Sequence, residues 1–238
     1  MYNQSYDPAA YRSESRSVSF PAVMRNVYLW MTFALVMTGL TAAAVATQPQ
    51  LIQAIFANKL VFWGLMIAEL GLVFYLSARI MTMSFVTAGL SFAVYAILNG
   101  LTLSFIFLAY TMESISTTFF VTAGTFGAMS LVGYTTKRDL GTLGRILFMA
   151  LIGVIIATLV NMFVHSSALQ FAVSILGVLI FTGLTAYDTQ KIKMMVTQSN
   201  ALGEETVMKL ALLGSLTLYL DFINLFLYLL RFFGSSRD

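Results

Sequence analysis

The amino-acid sequence predicts an all-α integral membrane protein, a bundle of seven transmembrane helices with the C-terminal helix at its centre. Three observations predict this fold class. The chain of 238 residues is 59% hydrophobic and only 10% charged, whereas soluble domains carry about 25% charged residues. Seven apolar runs follow one another with short polar segments between them. In the last run, small and polar residues recur along one face.

Each apolar run is long enough to cross a membrane as a helix. About 20 residues, at a rise of ~1.5 Å each, span a hydrocarbon core about 30 Å thick. Backbone groups in lipid must be hydrogen-bonded within their own segment, which favours helices over isolated strands. The predicted spans are residues 27–46, 60–78, 84–108, 117–134, 146–164, 169–187 and 207–233.

The N-terminal region is predicted to be a mobile cytoplasmic tail over residues 1–21, because it is rich in Ser, Tyr and Arg and has no apolar periodicity. The apolar run that follows it is longer than the roughly 7–15 residues of a signal-peptide core, so it is interpreted as an uncleaved first span. The seven-helix domain is therefore predicted over residues 22–234.

The basic residues predict the orientation of the bundle. With the N-terminus in the cytoplasm, ten of the thirteen Lys and Arg residues lie on the cytoplasmic side, as the positive-inside rule requires. This pattern indicates a multi-pass protein of the plasma membrane, which is the inner membrane in a bacterium. Because the positive charge is spread over short loops, no nucleic-acid partner is expected. The absence of cysteine excludes a disulfide framework and thiolate chemistry.

The last apolar run carries a polar stripe, with spacings of three and four residues that place its members on one helical face. A helix of this kind faces protein or water rather than lipid, which predicts a central position. Asp221 lies near the middle of the run, where acidic residues usually mark ion or proton paths. The six positions of the stripe are Gly214, Thr217, Asp221, Asn224, Tyr228 and Arg231.

A second carboxylate, Asp188, ends the sixth apolar run. The midpoint between Asp188 and Asp221 falls within residues 202–205, where Gly203 and two glutamates predict a turn. Two antiparallel helices joined there would hold both carboxylates at the same depth. The alternative for Asp188 is a helix-end carboxylate beside Lys191.

A third acid, Glu69, lies in the middle of the second span. An isolated buried charge is costly, so we expect an ion pair with Arg79 or Arg231. Asn99 and Asn161 lie at span depth and are interpreted as hydrogen-bonding groups between helices.

The segments YAILNGLTLSFIF in the third span, YDTQKI at the end of the sixth and LYLDFINLFLYLLR in the seventh resemble the Bax inhibitor-1 family. The resemblance implies a seven-helix bundle with the last helix central. It also implies a pH-sensitive calcium leak protein, not an enzyme, gated by an aspartate pair that falls on Asp188 and Asp221. These two residues would bind the transported Ca²⁺, with no cofactor. The polar partners near the pore that the resemblance implies are Glu69, Arg79, Asn224 and Arg231.

Two carboxylates within hydrogen-bond reach share a proton, because both ionise only at high cost. We therefore expect protonation to tie the last two helices together, and deprotonation to attract Ca²⁺.

Three alternatives stay open. Tyr187-Asp188 fits an intramembrane aspartyl protease, although its G-x-G-D pattern is absent around Asp221. The others are a proton-coupled cation exchanger and a regulator of a membrane protease or stress response. Expected partners are membrane lipids, Ca²⁺, protons and, for the regulator, another membrane protein.

Overall fold

Seven long helices make up the computed structural model, which describes residues 20–199 and 203–235. All seven are long and apolar enough to cross a membrane, and the described residues contain no strand. The predicted fold class is therefore confirmed. The predicted tail at 1–21 lies almost wholly outside the described residues. The helices are α1 (Phe20–Ala46), α2 (Lys59–Arg79), α3 (Phe85–Leu103), α4 (Met112–Thr135), α5 (Gly141–Val164), α6 (Ser167–Ser199) and α7 (Glu204–Phe233).

Side-chain caps fix where several helices begin. The Asn58 side chain accepts the backbone N–H groups of Leu60 and Val61 at the start of α2. Ser84 and Thr111 cap α3 and α4 in the same way. These hydroxyl and amide oxygens satisfy N–H groups that have no partner inside the helix. Short helical segments at Pro49–Ile52, Gln53–Ala57 and Ile106–Ala109 complete the connections on the same side of the bundle as the α5–α6 turn.

Helices α6 and α7 extend beyond the predicted apolar runs, because polar residues continue both helices past the membrane-spanning part. Helix α6 runs on to Ser199 and α7 begins at Glu204, so the connection lies slightly earlier than the predicted turn. A salt bridge of 2.9 Å joins Lys209 and Glu205 on the first turns of α7. Farther back on α6, Gln190 accepts the N–H of Leu140 and donates to the carbonyl of Arg138. The extended part of α6 thereby holds the α4–α5 connection.

Helix α7 is the centre of the bundle, as the sequence predicts. In its most apolar stretch 72% of the residues are buried, whereas in α5 the corresponding share is 6%. Helices α1, α3, α4 and α6 all pack against α7. Helix α5 packs mainly against α6 and exposes most of its surface to the surrounding lipid.

Glycines allow close approach where helices cross. A Cβ at Gly133 on α4 would collide with the Ala186 backbone of α6, and a Cβ at Gly100 would collide with Thr38 and Thr41 of α1. Small residues at such crossings let the backbones meet and gain van der Waals contact, which drives helix association in lipid.

A buried hydroxyl chain joins α1, α3 and α7. The Thr38 hydroxyl donates to the Ala96 carbonyl at 2.9 Å and lies 2.7 Å from the Tyr219 hydroxyl. Because the single Thr38 hydrogen is used by Ala96, Tyr219 donates to Thr38. The Tyr219 ring is fully buried and meets Phe92 edge-on. This chain fixes the face of α7 that points away from α6.

The α4–α6 crossing provides a test of the fold. We expect Gly133→Ala to lower the free energy of unfolding by about 1–3 kcal/mol, the usual cost of forcing extra atoms into a packed site. Thermal unfolding of the purified protein in detergent measures the change. Gly127→Ala on the same helix is the matched control, because a Cβ there meets no atom within 4 Å. Equal stability of the two variants would contradict the packing described here.

Candidate functional site

The structure brings Asp188 of α6 and Asp221 of α7 together inside the bundle. Their carboxyl groups lie close enough to interact with each other, and the residues are 8% and 5% exposed. The two helices reach this contact as an antiparallel pair, in agreement with the predicted common depth. A hydrogen bond between two carboxyl groups would require a proton on one of them, and the position of this pair is compatible with such a bond.

The two acids have different surroundings. Lys191, one turn beyond Asp188 on α6, exerts a favourable electrostatic interaction on that carboxyl, and its ammonium lies 5.8 Å from the centre of the Tyr187 ring. For Asp221 Oδ2, the described residues provide no N–H or O–H donor. Asp188 is therefore close to Lys191 and to Asp221 at the same time, so the two alternatives for this residue both apply. Asp221 has fewer polar neighbours than Asp188.

A cleft of about 1050 Å³ between α5, α6 and α7 contains the pair. The exposed basic residues Arg145 and Lys191 line one end of it, and Asn224 and Tyr228 line the part beyond Asp221. A wall of the cleft forms where the Tyr187 ring packs on Gly144, since a Cβ at Gly144 would overlap the ring. The cleft is large enough for hydrated ions, and it connects the pair to a basic end of the bundle.

The stripe predicted on α7 faces this cleft over most of its length. Thr217, Asp221, Asn224 and Tyr228 all line it. The Asn224 side chain donates to the Leu220 carbonyl at 2.8 Å, which holds the amide close to its own helix. At the ends of the stripe, Gly214 packs against Ile192, and the exposed Arg231 lies outside the cleft.

The ion pair predicted for Glu69 is wrong. Its carboxylate accepts the Thr102 hydroxyl of α3 at 2.8 Å, and within residues 20–199 and 203–235 the one salt bridge is the Lys209–Glu205 pair. Arg79 lies ten residues farther along α2 at an exposed helix end, about 15 Å away along the axis. A hydroxyl on the neighbouring helix therefore meets Glu69 in place of a cation. Glu69, Arg79 and Arg231 do not join the aspartate pair.

Within the described residues, neither Asn99 nor Asn161 makes the hydrogen bond between membrane-spanning helices that the sequence predicts. Asn161 accepts the N–H of Ser166 at 2.9 Å and shapes the turn after α5, where His165 has a left-handed backbone. The Asn99 side chain is a hydrogen-bond partner of Tyr95. Asn99 Oδ1 is buried and has no donor among the described residues.

Sequence reasoning missed the contribution of α5 to the site. Gly144 and Arg145 line the cleft, but on an apolar helix neither residue stands out, since glycine is common in transmembrane helices and arginine at helix ends. Tyr228 belongs to the predicted stripe, although its spacing gives no indication of its partners on α5 and α6.

Comparison with known proteins decides the family. A family model described as "Inhibitor of apoptosis-promoting Bax1" (Bax1-I) matches residues 21–238, which include all seven helices and both aspartates. The chain belongs to this family. The sequence-based resemblance to the Bax inhibitor-1 family is thus confirmed.

Bacterial relatives cover nearly the whole chain. The inner membrane protein YbhL of Escherichia coli K12 is 52% identical over 214 residues, or 90% of this chain and 92% of its own length. An uncharacterized protein of Borreliella burgdorferi is 48% identical over 91% of this chain and 95% of its own length. An uncharacterized protein of Rickettsia prowazekii is 45% identical, with 90% of each chain covered.

Two carboxylates make a partial coordination shell for a hard cation. Within the described residues, no group of three or more His, Asp or Glu side chains is placed to hold a metal ion. Ca²⁺ takes 6–8 oxygen ligands, so Asp188 and Asp221 would have to be supplemented by water and carbonyl oxygens. Such a site favours weak, exchangeable binding.

The contact between the two acids can be tested by cross-linking, because the chain contains no cysteine. In the double variant Asp188→Cys/Asp221→Cys, we expect a short bifunctional thiol reagent to join α6 to α7, since the two side chains are in contact. A protease site engineered into the turn between the helices reveals the link as fragments that stay together on a denaturing gel.

The matched control is Thr189→Cys/Asp221→Cys. Thr189 follows Asp188 directly but points to Ser130 of α4. Equal cross-linking of the two double variants would contradict the contact.

Proposed function

We propose that this protein is a pH-sensitive calcium leak channel, gated by the proton that Asp188 and Asp221 share. The observation that carries the proposal is the buried contact between the two carboxyl groups inside a cleft that reaches a basic end of the bundle. The family resemblance supports calcium as the transported ion. We further propose the bacterial inner membrane as its location, because the Escherichia coli relative is an inner membrane protein. The distribution of Lys and Arg supports a cytoplasmic N-terminus.

In the closed state of the proposed mechanism, one proton lies between the two carboxyl groups and holds α6 against α7. Acid conditions keep this proton in place, and alkaline conditions remove it. After its removal two negative charges face each other where the effective dielectric constant is low, and their repulsion amounts to several kcal/mol at an effective value of about 20. The repulsion pushes α6 and α7 apart and opens the path, so conduction increases as the pH rises.

The deprotonated pair then becomes a cation site. A hard, oxygen-seeking ion such as Ca²⁺ relieves the repulsion between the carboxylates. Because the protein supplies only two carboxylate groups at this point, the ion keeps part of its hydration shell. Binding of this kind is strong enough for entry and weak enough for release, as conduction requires.

Calcium flux into proteoliposomes across a pH series tests the proposal. For the wild type we expect flux to rise with pH, by up to about tenfold per pH unit on the acid side, because one proton controls the ratio of open to closed forms. Asp188→Asn and Asp221→Asn remove the shared proton and should abolish this pH dependence.

Glu204→Gln is the matched control, since it neutralises an exposed acid at the start of the same helix α7. It should leave the pH profile unchanged. If both aspartate variants keep the wild-type flux and profile, the proposal fails.

Three further experiments separate the alternatives. A proton-coupled exchanger would show calcium counterflow driven by a pH gradient, and an intramembrane protease would cleave helical peptides in an aspartate-dependent way. A regulatory protein would co-purify with a membrane partner from cross-linked membranes and would keep its cellular effect in the aspartate variants.

A further inference from the structure

The aspartate cleft ends at Tyr228, and a second polar pocket lies beyond this ring. The second pocket has a volume of about 200 Å³ and lies near the α5–α6 turn. Its polar lining comes from α5, α6 and the last turn of α7. These residues are Thr158, Asn161, Gln170 and Arg231.

Four contacts hold the Tyr228 side chain in this position. Its hydroxyl lies beside the Thr158 side chain of α5, whose own hydroxyl donates to the Val154 carbonyl at 2.8 Å. The ring stacks on Phe181 of α6, with centres 5.8 Å apart and planes at 25°. It fills the space over Gly177.

The fourth contact links the ring directly to the second pocket. The Arg231 guanidinium lies 5.7 Å from the centre of the Tyr228 ring, within the range of a cation–π interaction. Thr158 and Arg231 both line the second pocket and both contact Tyr228, which itself lines the aspartate cleft. The side chain of Tyr228 is therefore the partition between the two spaces.

We propose that Tyr228 is a second barrier in the ion path, in series with the aspartate pair, and that Thr158 and Arg231 hold it closed. The role of Tyr228 in ion conduction rests on the proposed function. The separation of the cleft from the second pocket by the Tyr228 ring does not. The path would run from the basic end of the cleft, past Asp188 and Asp221, to Tyr228 and then into the pocket at the α5–α6 turn.

The residues around the ring suit a movable barrier. Gly177 provides a seat without a side chain, because a Cβ there would overlap the ring. The contact of the hydroxyl with Thr158 joins α7 to α5, the least buried of the seven helices, so an outward movement of α5 would break it. Arg231 keeps a positive charge beside the closed ring, which repels cations from the far side until the ring moves away.

The absence of cysteine in the chain allows a direct test of access. Thr217→Cys places a reporter thiol in the aspartate cleft. A membrane-impermeant maleimide is added separately to each face of sealed vesicles. With Tyr228 intact, the face at the α5–α6 turn should give little labelling. Tyr228→Ala should raise the labelling rate from that face by roughly tenfold, the effect of lowering a barrier by about 1.4 kcal/mol.

Leu227→Ala is the matched control, because it truncates the adjacent residue of α7 on a different face. Tyr228→Phe and Thr158→Val serve as milder variants, each of which removes one hydroxyl of the Tyr228–Thr158 contact; both should raise labelling, by a smaller factor than Tyr228→Ala. Unchanged labelling in all three variants of the Tyr228–Thr158 contact would overturn the barrier.

Calcium flux with the same variants separates this proposal from the proposed function. In one outcome, labelling increases in the Tyr228 variants but no variant shows calcium flux. The partition between the two spaces then stands, whereas the calcium function and the role of Tyr228 in an ion path are both overturned. In the other outcome, the wild type conducts calcium and substitution of Tyr228 changes neither the labelling nor the flux. The barrier is then overturned, and the calcium function is unaffected.

Discussion

The contact between two carboxyl groups on α6 and α7 constrains the rest of the bundle. A buried acid without a partner is costly in a membrane, and the two carboxyl groups can share a proton only if the helices keep one depth and one rotation. Helix α7 must therefore be surrounded by protein, as its 72% buried stretch shows. Helix α6 must run antiparallel to it across a short connection. The central position of α7 and the packing of α6 follow from the same pair.

The opposite face of α7 has its own anchor. The Tyr219 hydroxyl donates to Thr38, which in turn donates to the Ala96 carbonyl. Tyr219 and Asp221 are two residues apart, so they point to different sides of the helix. Tyr219 fixes α7 to α1 and α3, while Asp221 faces α6 and the cleft beside α5. Under the proposed mechanism, a change at the aspartate pair would move α6 and α5 against a core of α1, α3 and α7.

Helix α5 is one of the two least buried helices, with 6% of its most apolar stretch buried against 11% in α2. Its main contact is with α6, and on its other inner side it borders the cleft. It closes on the site at two points, the contact of Thr158 with the Tyr228 hydroxyl and the packing of Tyr187 on Gly144. A helix that packs mainly against one neighbour and completes a cleft around buried charges is suited to a conformational switch, since it has few contacts with the other helices to break.

The sequence by itself determined the seven spans, the central last helix and the common depth of Asp188 and Asp221. Hydropathy and helical spacing are local properties of the chain, and in a bilayer they set which segments cross and where each residue lies. It also determined the family. Only the tertiary structure decided which polar groups meet. Glu69 pairs with the Thr102 hydroxyl and not with an arginine, and Gly144, Arg145 and Thr158 of the apolar helix α5 complete the site. These contacts depend on the rotation and crossing of helices, which the spacing of residues along one helix does not specify.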